Sequence, residues 1–334
     1  MRPVVYIALA PALVEELELE PELARLSPTA RIERWAGPGA PTPAALAAAL
    51  TSAEVLITGW GVPALGALRS WSPGETPLRL VAHTAGTVKE LIPPEALERG
   101  LLVTHANESL AEAVAEFTIG AIIMARRGAF AAVDRLRRGD LPISPAGLHE
   151  VRGSTVGVIG ASAIGRRVLA LLDVLGVTKL LYDPYCSPAD AAALGAAQVS
   201  LHELLGRSDI VTLHAPVTPE TIGMLGAREF AAMRDGALFV NTARGRLVDH
   251  DALLAELRAG RISALLDVTD PTEPLPPGSP LLALENCTVL PHIAAVTREA
   301  RVRQSRITVD EVLRYLAGEP LRHRVTRERW GTMA

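Results

Sequence analysis

Cysteine is scarce in this 334-residue chain, which contains only Cys186 and Cys287. The two lie far apart and lack the close spacing of paired metal ligands, so neither a metal site nor a disulfide framework is indicated. We expect both to be buried as small apolar side chains. Sparse cysteine is typical of proteins in a reducing cytoplasm, which is the location that we predict.

Long apolar runs are also missing, since none reaches the ~18 residues that a membrane-spanning helix needs. The short run 4–9 after Arg2 has some likeness to a signal peptide, but the acidic residues that follow favour a buried strand. A net charge of −4 gives no basic surface for nucleic acid or anionic lipid. With 49% hydrophobic residues the chain is expected to fold, and its length suggests two domains.

Short aliphatic runs alternate with helical patterns along the chain. This βαβ rhythm predicts an α/β protein whose mostly parallel sheets carry helices on their faces. The predicted strands are 4–8, 55–58, 78–82, 101–104, 155–159, 179–182, 210–213, 237–241, 263–267 and 288–290. Long helices are predicted at 109–127 and 294–316, on either side of the second series of strands. We therefore expect a domain at 106–295, inserted into another that is made of 1–105 and 296–334.

The segment 155–166 has the strand–turn–helix order of a dinucleotide-binding loop. Gly160 and Gly165 fit the first and third positions of the G-x-G-x-x-G pattern, where they permit the tight turn and close helix packing. Ser162 stands at the middle position, where its hydroxyl either merely tolerates the pyrophosphate or donates to a phosphate oxygen. The helix that follows would offer free N–H groups to that phosphate. The residues predicted to bind it are Gly160, Ser162, Ala163, Ile164 and Gly165.

Asp183 ends the next predicted strand, 18 residues after Gly165 and directly before Pro184. A carboxylate at this place accepts hydrogen bonds from the adenosine ribose and repels a 2′-phosphate. No arginine stands at 184 or 185 to bind such a phosphate. The sequence therefore predicts NAD rather than NADP as the cofactor.

A series of short segments extends through and beyond this loop in a fixed order. They are Val156-Gly-Val-Ile-Gly160, Ile164-Gly-Arg166, Ser208-Asp-Ile-Val-Thr-Leu-His-Ala-Pro216, Phe239-Val-Asn-Thr-Ala-Arg-Gly245, Leu247-Val-Asp249, Leu266-Asp-Val268, Glu273-Pro-Leu275 and Pro291-His-Ile293. Over about 105–320 the chain thereby resembles the D-isomer-specific 2-hydroxyacid dehydrogenases, which include phosphoglycerate and glycerate dehydrogenases. The resemblance implies two doubly wound α/β domains, with a Rossmann-type NAD-binding domain inserted into a flavodoxin-like substrate domain.

The resemblance also implies hydride transfer between NAD and a D-2-hydroxy acid or its 2-oxo acid. Arg244 would hold the substrate carboxylate, and His292 would exchange the proton. In the family a carboxylate orients this histidine, within a D-V-x-x-x-E-P pattern. Here Asp267 and Glu273 are one residue further apart than in that pattern. We assign the role to Glu273, in its Glu-Pro-Leu context, and keep Asp270 as the alternative.

Further binding residues follow from the same resemblance. Asp267 would bond the nicotinamide carboxamide, while Ala85 and Gly86 in the first domain would offer backbone N–H groups to the substrate carboxylate. The family's usual Gly-Val-Asp-Asn-Ile sequence is absent there, and Ala-Gly-Thr-Val-Lys89 stands instead, so the substrate stays open. The other predicted cofactor contacts are Pro216, Thr242, Ala243, Ala294 and Ala295.

Three further features of the sequence are considered as candidate site residues. The loop Trp60-Gly-Val-Pro63 either faces the cleft or packs in the core, and His83 either faces the cleft or serves the structure. His214 follows a strand and is expected to be a structural hydrogen-bonding residue.

Two other functions compete with an NAD-dependent dehydrogenase. One is an NADP-preferring glyoxylate or hydroxypyruvate reductase, against which Asp183 argues. The other is a catalytically silent, NAD-sensing scaffold, against which Arg244, Glu273 and His292 argue together. The family resemblance also implies a homodimer formed through the inserted domain, with the contact expected at 126–140.

Overall fold

The computed structural model describes residues 2–140, 144 and 147–333. The strands are β1 (Val4–Ile7), β2 (Arg31–Arg34), β3 (Val55–Thr58), β4 (Leu80–His83), β5 (Leu102–His105), β6 (Thr155–Ile159), β7 (Thr178–Tyr182), β8 (Ala197–Gln198), β9 (Ile210–Leu213), β10 (Leu238–Asn241), β11 (Ser263–Leu266) and β12 (Cys287–Val289). The helices are α1 (Pro11–Glu16), α2 (Glu20–Ala24), α3 (Pro43–Ser52), α4 (Pro94–Glu98), α5 (Glu108–Arg126), α6 (Ala129–Arg138), α7 (Ala163–Leu172), α8 (Pro188–Ala193), α9 (Leu201–Arg207), α10 (Ala227–Ala232), α11 (His250–Arg258), α12 (Arg298–Leu316) and α13 (Arg327–Thr332).

The chain divides into two compact units. Unit 1 contains Met1–Leu110 and Val296–Ala334, and unit 2 contains Ala111–Ala295. Among the described residues, no helix is both long and apolar enough to cross a membrane.

Unit 1 contains a five-stranded sheet in the order β2-β1-β3-β4-β5, with every pair parallel. This is the flavodoxin-like strand order. The central strand β3 is buried along its whole length because both of its faces are covered. Val55 and Ile57 pack into one apolar layer, and Leu56 packs into the opposite one. This two-sided burial explains why the central strands are unbroken aliphatic runs.

Unit 2 contains a seven-stranded parallel sheet in the order β12-β11-β10-β9-β6-β7-β8. Its first six strands in chain order have the Rossmann arrangement, and β12 adds a seventh at one edge. The predicted fold class, α/β with two doubly wound sheets, is confirmed. The strand order reverses between β6 and β9, so ligands are expected beside the carboxyl ends of these strands.

Two strands were not predicted, and the start of one helix differs from its prediction by four residues, while the other predicted strands and long helices differ from the structure by two residues or fewer at either end. The edge strand β2 was not predicted, because its sequence, Arg-Ile-Glu-Arg, has little of the apolar character of a core strand. The short strand β8 carries no periodicity in its two residues. The prediction that the last long helix begins at 294 is wrong. α12 begins at Arg298, because Thr297 caps it by accepting a hydrogen bond from Ala300 N at 3.1 Å.

Two histidines at strand ends in unit 1 favour the neutral form. Burial, and to a lesser degree the nearby His105, lowers the pKa of His83 to about 4. The His83 ring is buried with its Nδ1 3.0 Å from Thr58 Oγ1. Burial also lowers the pKa of His105 to about 4, an effect that His323 strengthens and Glu108 opposes.

Unit 1 is therefore expected to lose stability as the pH falls below 6.5. The unfolded chain protonates these rings near pH 6.5 and the folded chain only near pH 4, so the stabilisation is complete above 6.5 and disappears on acidification. At pH 5, each of the two rings is expected to have lowered the free energy of unfolding by roughly 2 kcal/mol from its value at high pH. Urea-unfolding midpoints at pH 5 and 8 check this. His83→Asn should flatten the pH dependence, whereas His202→Gln, at an exposed position, should not. An unchanged slope in His83→Asn contradicts the prediction.

Candidate active site in unit 2

The phosphate loop at the carboxyl end of β6 requires both of its glycines. Gly160 has φ +98°, and a Cβ there would lie 2.7 Å from the backbone nitrogen of Ala215. A Cβ at Gly165 would overlap the carbonyl oxygen of Gly160. The first glycine therefore permits the turn and the second permits the close approach of α7 to the strand.

Ser162 has a role that was missing from both sequence-based alternatives. It is the N-cap of α7, and its Oγ accepts a hydrogen bond from Gly165 N at 3.2 Å. A serine cap satisfies one of the free N–H groups of the first helical turn, and its hydroxyl hydrogen can still be donated. The first turn of α7 carries no acidic residue. The helix terminus therefore keeps its positive end for a phosphate.

Asp183 stands directly after β7 and is half-buried. Its Oδ2 accepts a hydrogen bond from Ala161 N at 2.6 Å, and its Oδ1 accepts one from Tyr185 N at 2.8 Å. The carboxylate thus holds the phosphate loop against the end of β7. Each carboxylate oxygen has a second lone pair, so the group can also accept a hydroxyl hydrogen.

The turn after β10 carries Arg244, and a buried asparagine shapes it. Asn241 Oδ1 accepts from Ala243 N at 3.0 Å, and its Nδ2 donates to Arg244 O at 3.0 Å. Gly245 is needed because a Cβ there would overlap the backbone of Thr269. Burial lowers the pKa of Arg244, while the charge of Glu273 acts in the opposite direction. The guanidinium is half-buried, and its Nη1 donates to the backbone oxygen of Ala243 at 2.7 Å.

Asp267, after β11, holds the turn that carries His292. Its backbone oxygen accepts from His292 N at 2.9 Å, and its two carboxylate oxygens accept from Ile293 N at 2.8 Å and Ala294 N at 3.0 Å. These three bonds keep His292 in the left-handed region, with φ +57°, where a non-glycine residue is uncommon. Asp267 is buried, and sequence had predicted for it only a cofactor contact, not this anchoring of the His292 turn.

His292 Nδ1 is hydrogen-bonded to Glu273 Oε1. The other carboxylate oxygen, Oε2, accepts from Thr269 N at 3.1 Å. Thr269 Oγ1 donates to Thr272 O at 2.7 Å across the turn that contains the extra residue. Asp270 instead acts on His250, whose pKa is lowered by burial and raised in part by that charge. The structure thus brings Glu273, and not Asp270, to His292.

Because Glu273 occupies Nδ1, the ring presents Nε2 as its second nitrogen, which can donate or accept a proton. The turn of Arg244, the loop of Glu273 and His292 follow β10, β11 and β12, which are neighbours in a parallel sheet. Parallel strands place their carboxyl ends at one edge, where doubly wound folds bind ligands. A cation, a carboxylate and a titratable ring thereby share this edge of the sheet.

The remaining predicted residues of unit 2 lie in the same series of strand-end loops. Thr242 is buried, and its Oγ1 lies 3.0 Å from Thr118 Oγ1. Pro216 follows β9 and its carbonyl accepts from Thr221 Oγ1 at 2.7 Å. His214 is fully enclosed, with its Nε2 2.9 Å from Thr212 Oγ1, and burial lowers its pKa to about 3, consistent with a structural role. The other predicted cofactor contacts are placed as buried Ala243 and Ala294 and half-buried Ala295.

Unit 1 holds the predicted substrate residues Ala85 and Gly86, in the loop after β4. A Cβ at Gly86 would lie 3.1 Å from Asn107 Oδ1, so the loop packs closely on the end of β5. His83, one of the open candidates, is buried against Thr58. Trp60, the other, is 41% exposed.

The phosphate loop, the α7 terminus and Asp183 fit a dinucleotide, because a glycine turn meets a positive helix end beside a carboxylate that can accept a hydroxyl hydrogen. Unit 2 is therefore a Rossmann-type dinucleotide-binding domain with the hydrogen-bonded pair of His292 and Glu273 at one edge of its sheet.

Comparison with known proteins agrees with this assignment of unit 2 as a dinucleotide-binding domain. The model of the family "D-isomer specific 2-hydroxyacid dehydrogenase, NAD binding domain" matches residues 119–294. The D-3-phosphoglycerate dehydrogenase of Archaeoglobus fulgidus is 35% identical over 74% of this chain and 47% of its own length. The glyoxylate reductase of Korarchaeum cryptofilum is 35% identical over 72% of this chain and 74% of its own length. The structure of the TT0316 protein from Thermus thermophilus is 31% identical, with a TM-score of 0.76, and covers 98% of this chain and 100% of that one.

The chain belongs to the D-isomer-specific 2-hydroxyacid dehydrogenase family, as the sequence motifs predicted. The family's domain supports a nicotinamide dinucleotide as the cofactor. The chain spans about half the length of the curated phosphoglycerate dehydrogenases that it matches.

Proposed function

We propose that this chain is an NAD-dependent dehydrogenase of the cytoplasm that interconverts a D-2-hydroxy acid and its 2-oxo acid. The observation that carries the proposal is the hydrogen-bonded pair of His292 and Glu273, which shares the carboxyl edge of the sheet with the turn of Arg244. Both cysteines are buried and unbridged, which suits a reducing compartment.

Each of these side chains has a distinct task in the proposed reaction. In reduction, His292 donates the proton at Nε2 to the substrate oxygen, and in oxidation it removes that proton. Glu273 fixes the ring orientation and stabilises its protonated form. Arg244 binds the substrate carboxylate and stabilises the negative charge that develops on the oxygen. When bound, the nicotinamide supplies or accepts the hydride. In unit 1, the N–H groups of Ala85 and Gly86 bind a substrate carboxylate.

A steady-state screen tests the proposal. NADH and NADPH are each offered with glyoxylate, hydroxypyruvate, pyruvate, phosphohydroxypyruvate and bulkier 2-oxo acids, and oxidation of the cofactor is followed. We expect turnover of at least one acid with NADH. Turnover with NADPH alone would favour the reductase alternative. Binding of NADH, detected by its fluorescence, without oxidation by any acid would favour the scaffold.

Asp183 is expected to make the native enzyme prefer NADH over NADPH by about tenfold or more, because its carboxylate repels a 2′-phosphate. Values of kcat/KM for the two cofactors measure the preference. Asp183→Ser combined with Pro184→Arg should narrow it, while Asp190→Ser, which removes another carboxylate of the same unit, should leave it unchanged. Equal kcat/KM values for NADH and NADPH in the native enzyme would contradict the proposed role of Asp183 in cofactor preference.

We also propose a homodimer formed through α6. No side chain of α6 is buried within the chain, and Val133 and Leu136 are exposed on it. Exposed apolar side chains on one helix are typical of an interface. We expect Leu136→Glu with Val133→Glu to shift the native dimer to a monomer in sedimentation analysis. The matched change Val174→Glu, at an exposed position of the same unit, should leave the dimer intact. A monomeric native protein contradicts this proposal.

A further inference from the structure

Helix α12 of unit 1 carries a fully buried amide, Gln304, that none of the roles above uses. Its Nε2 donates to the backbone oxygen of Thr84 at 2.9 Å, in the loop after β4. Its Oε1 accepts from Arg301 Nη1 at 3.1 Å. Since a guanidinium can only donate, the amide oxygen must face Arg301 and the NH₂ group must face Thr84.

Arg301 is itself held in place, so the orientation of the amide is fixed. Its Nε donates to Glu16 Oε1 at 2.7 Å, and its guanidinium lies 4.4 Å from the ring centre of Trp60. The charge of Arg301 is therefore balanced by a carboxylate and covered by an aromatic face. Gln304 accepts one hydrogen bond from this cation and donates another to the Thr84 carbonyl.

The Thr84 carbonyl determines where the next N–H group points. In a trans peptide the C=O and the following N–H point in opposite directions, so a carbonyl turned towards Gln304 turns the N–H of Ala85 away from it. The carbonyl of Ala85 accepts from Ala106 N at 3.0 Å, which turns the N–H of Gly86 away in the same manner. Within the described ranges, the N–H groups of Ala85 and Gly86 have no hydrogen-bond partner in the protein.

We propose that Gln304 is a positioning residue for substrate binding. By holding the Thr84 carbonyl, it keeps the Ala85 N–H turned outwards, where it can bind the carboxylate of a 2-oxo or 2-hydroxy acid. The inference rests on the proposed function and adds a residue that is separated from the loop by 220 positions of sequence. Without the Gln304 donor, the buried Thr84 carbonyl loses its partner and the peptide rotates to find another.

Gln304→Met tests the inference, because it keeps the side-chain volume and removes the donor. We expect KM for the 2-oxo acid to rise by about five- to tenfold, with kcat and the Kd of NADH within twofold of native. Gln304→Glu should raise KM further, since a carboxylate cannot donate to Thr84 and repels the substrate. Ser305→Ala is the matched control. It removes another buried hydrogen bond of α12, from Ser305 Oγ to Leu17 O at 2.6 Å, and should leave KM unchanged.

A measurement on the native protein tests the inference even if the variants do not fold. Oxalate, a dianion without a reacting carbonyl, should slow hydrogen exchange at the amides of 85–86 when NAD is present. Unchanged exchange, or a KM within twofold of native in Gln304→Met, overturns the inference. An equal rise in KM in Ser305→Ala also overturns it, because the effect would then be general to α12. A native chain that reduces no 2-oxo acid contradicts the proposed function instead.

Discussion

Replacement of His292 by asparagine is expected to lower kcat by about 10² or more in both directions of the reaction. Asparagine can adopt the left-handed backbone that φ +57° requires, so the turn built on Asp267 should persist. The lost property is then the titratable ring alone. His292→Ala should show at least the same loss, because alanine also strains that backbone position.

Steady-state rates with NADH and the preferred 2-oxo acid, and with NAD and the matching 2-hydroxy acid, measure the effect. The Kd of NADH should stay within a few-fold of native, since the phosphate loop and Asp183 are untouched. His202→Gln, which changes an exposed histidine of the same unit, is the control and should have native rates. A native kcat in His292→Asn would remove the acid–base role from this strand end, and the dehydrogenase proposal with it.

The parts of the fold that sequence predicted are those with local causes. β3, β6 and β9 have the predicted bounds because a strand covered on both faces must be apolar at nearly every position. The glycine loop was also predictable, since Gly160 is required by a local turn and Gly165 by the close packing of the helix that follows it. In contrast, β2 is half-exposed at the sheet edge and its sequence lacks that constraint.

The parts of the candidate site that sequence missed depend on contacts between distant segments. Of these residues, Asn241 could most readily have been predicted from sequence. An asparagine side chain that hydrogen-bonds the backbone two residues further along the chain commonly forms a turn. The anchoring of the His292 turn by Asp267 spans 25 residues or more and leaves no local pattern. The contact of Gln304 could not have been predicted from sequence, since a glutamine in a helical segment does not indicate which distant carbonyl it binds.

The choice between Glu273 and Asp270 illustrates the same limit at shorter range. Spacing alone left both open, because one extra residue moved the carboxylate out of the family pattern. The turn closed by Thr269 Oγ1 and Thr272 O accommodates that residue, and Thr269 N holds Glu273 towards the ring. A loop conformation, rather than a count of residues, therefore decides which carboxylate meets His292.

Glu273→Gln is expected to lower kcat/KM for reduction at pH 8 by between about ten- and hundredfold. Reduction needs the protonated ring, which the Glu273 carboxylate stabilises and a neutral amide does not. Steady-state rates of reduction and of oxidation, measured at the same pH, quantify the loss. The Kd of NADH should not change, because Glu273 bonds only His292 and Thr269 among the contacts described above.

Asp270→Asn provides the matched comparison, since it neutralises a carboxylate three residues away in the same loop. Its charge acts on His250, so the rates of both reactions should stay at their native values. If Asp270→Asn lowered the rates and Glu273→Gln did not, the partner of His292 in the working enzyme would be Asp270. If both lowered them equally, the effect would come from the summed charge of the loop rather than from a directed hydrogen bond. Only a loss confined to Glu273→Gln assigns the orientation of the ring, and hence the role of Nε2, to that single contact.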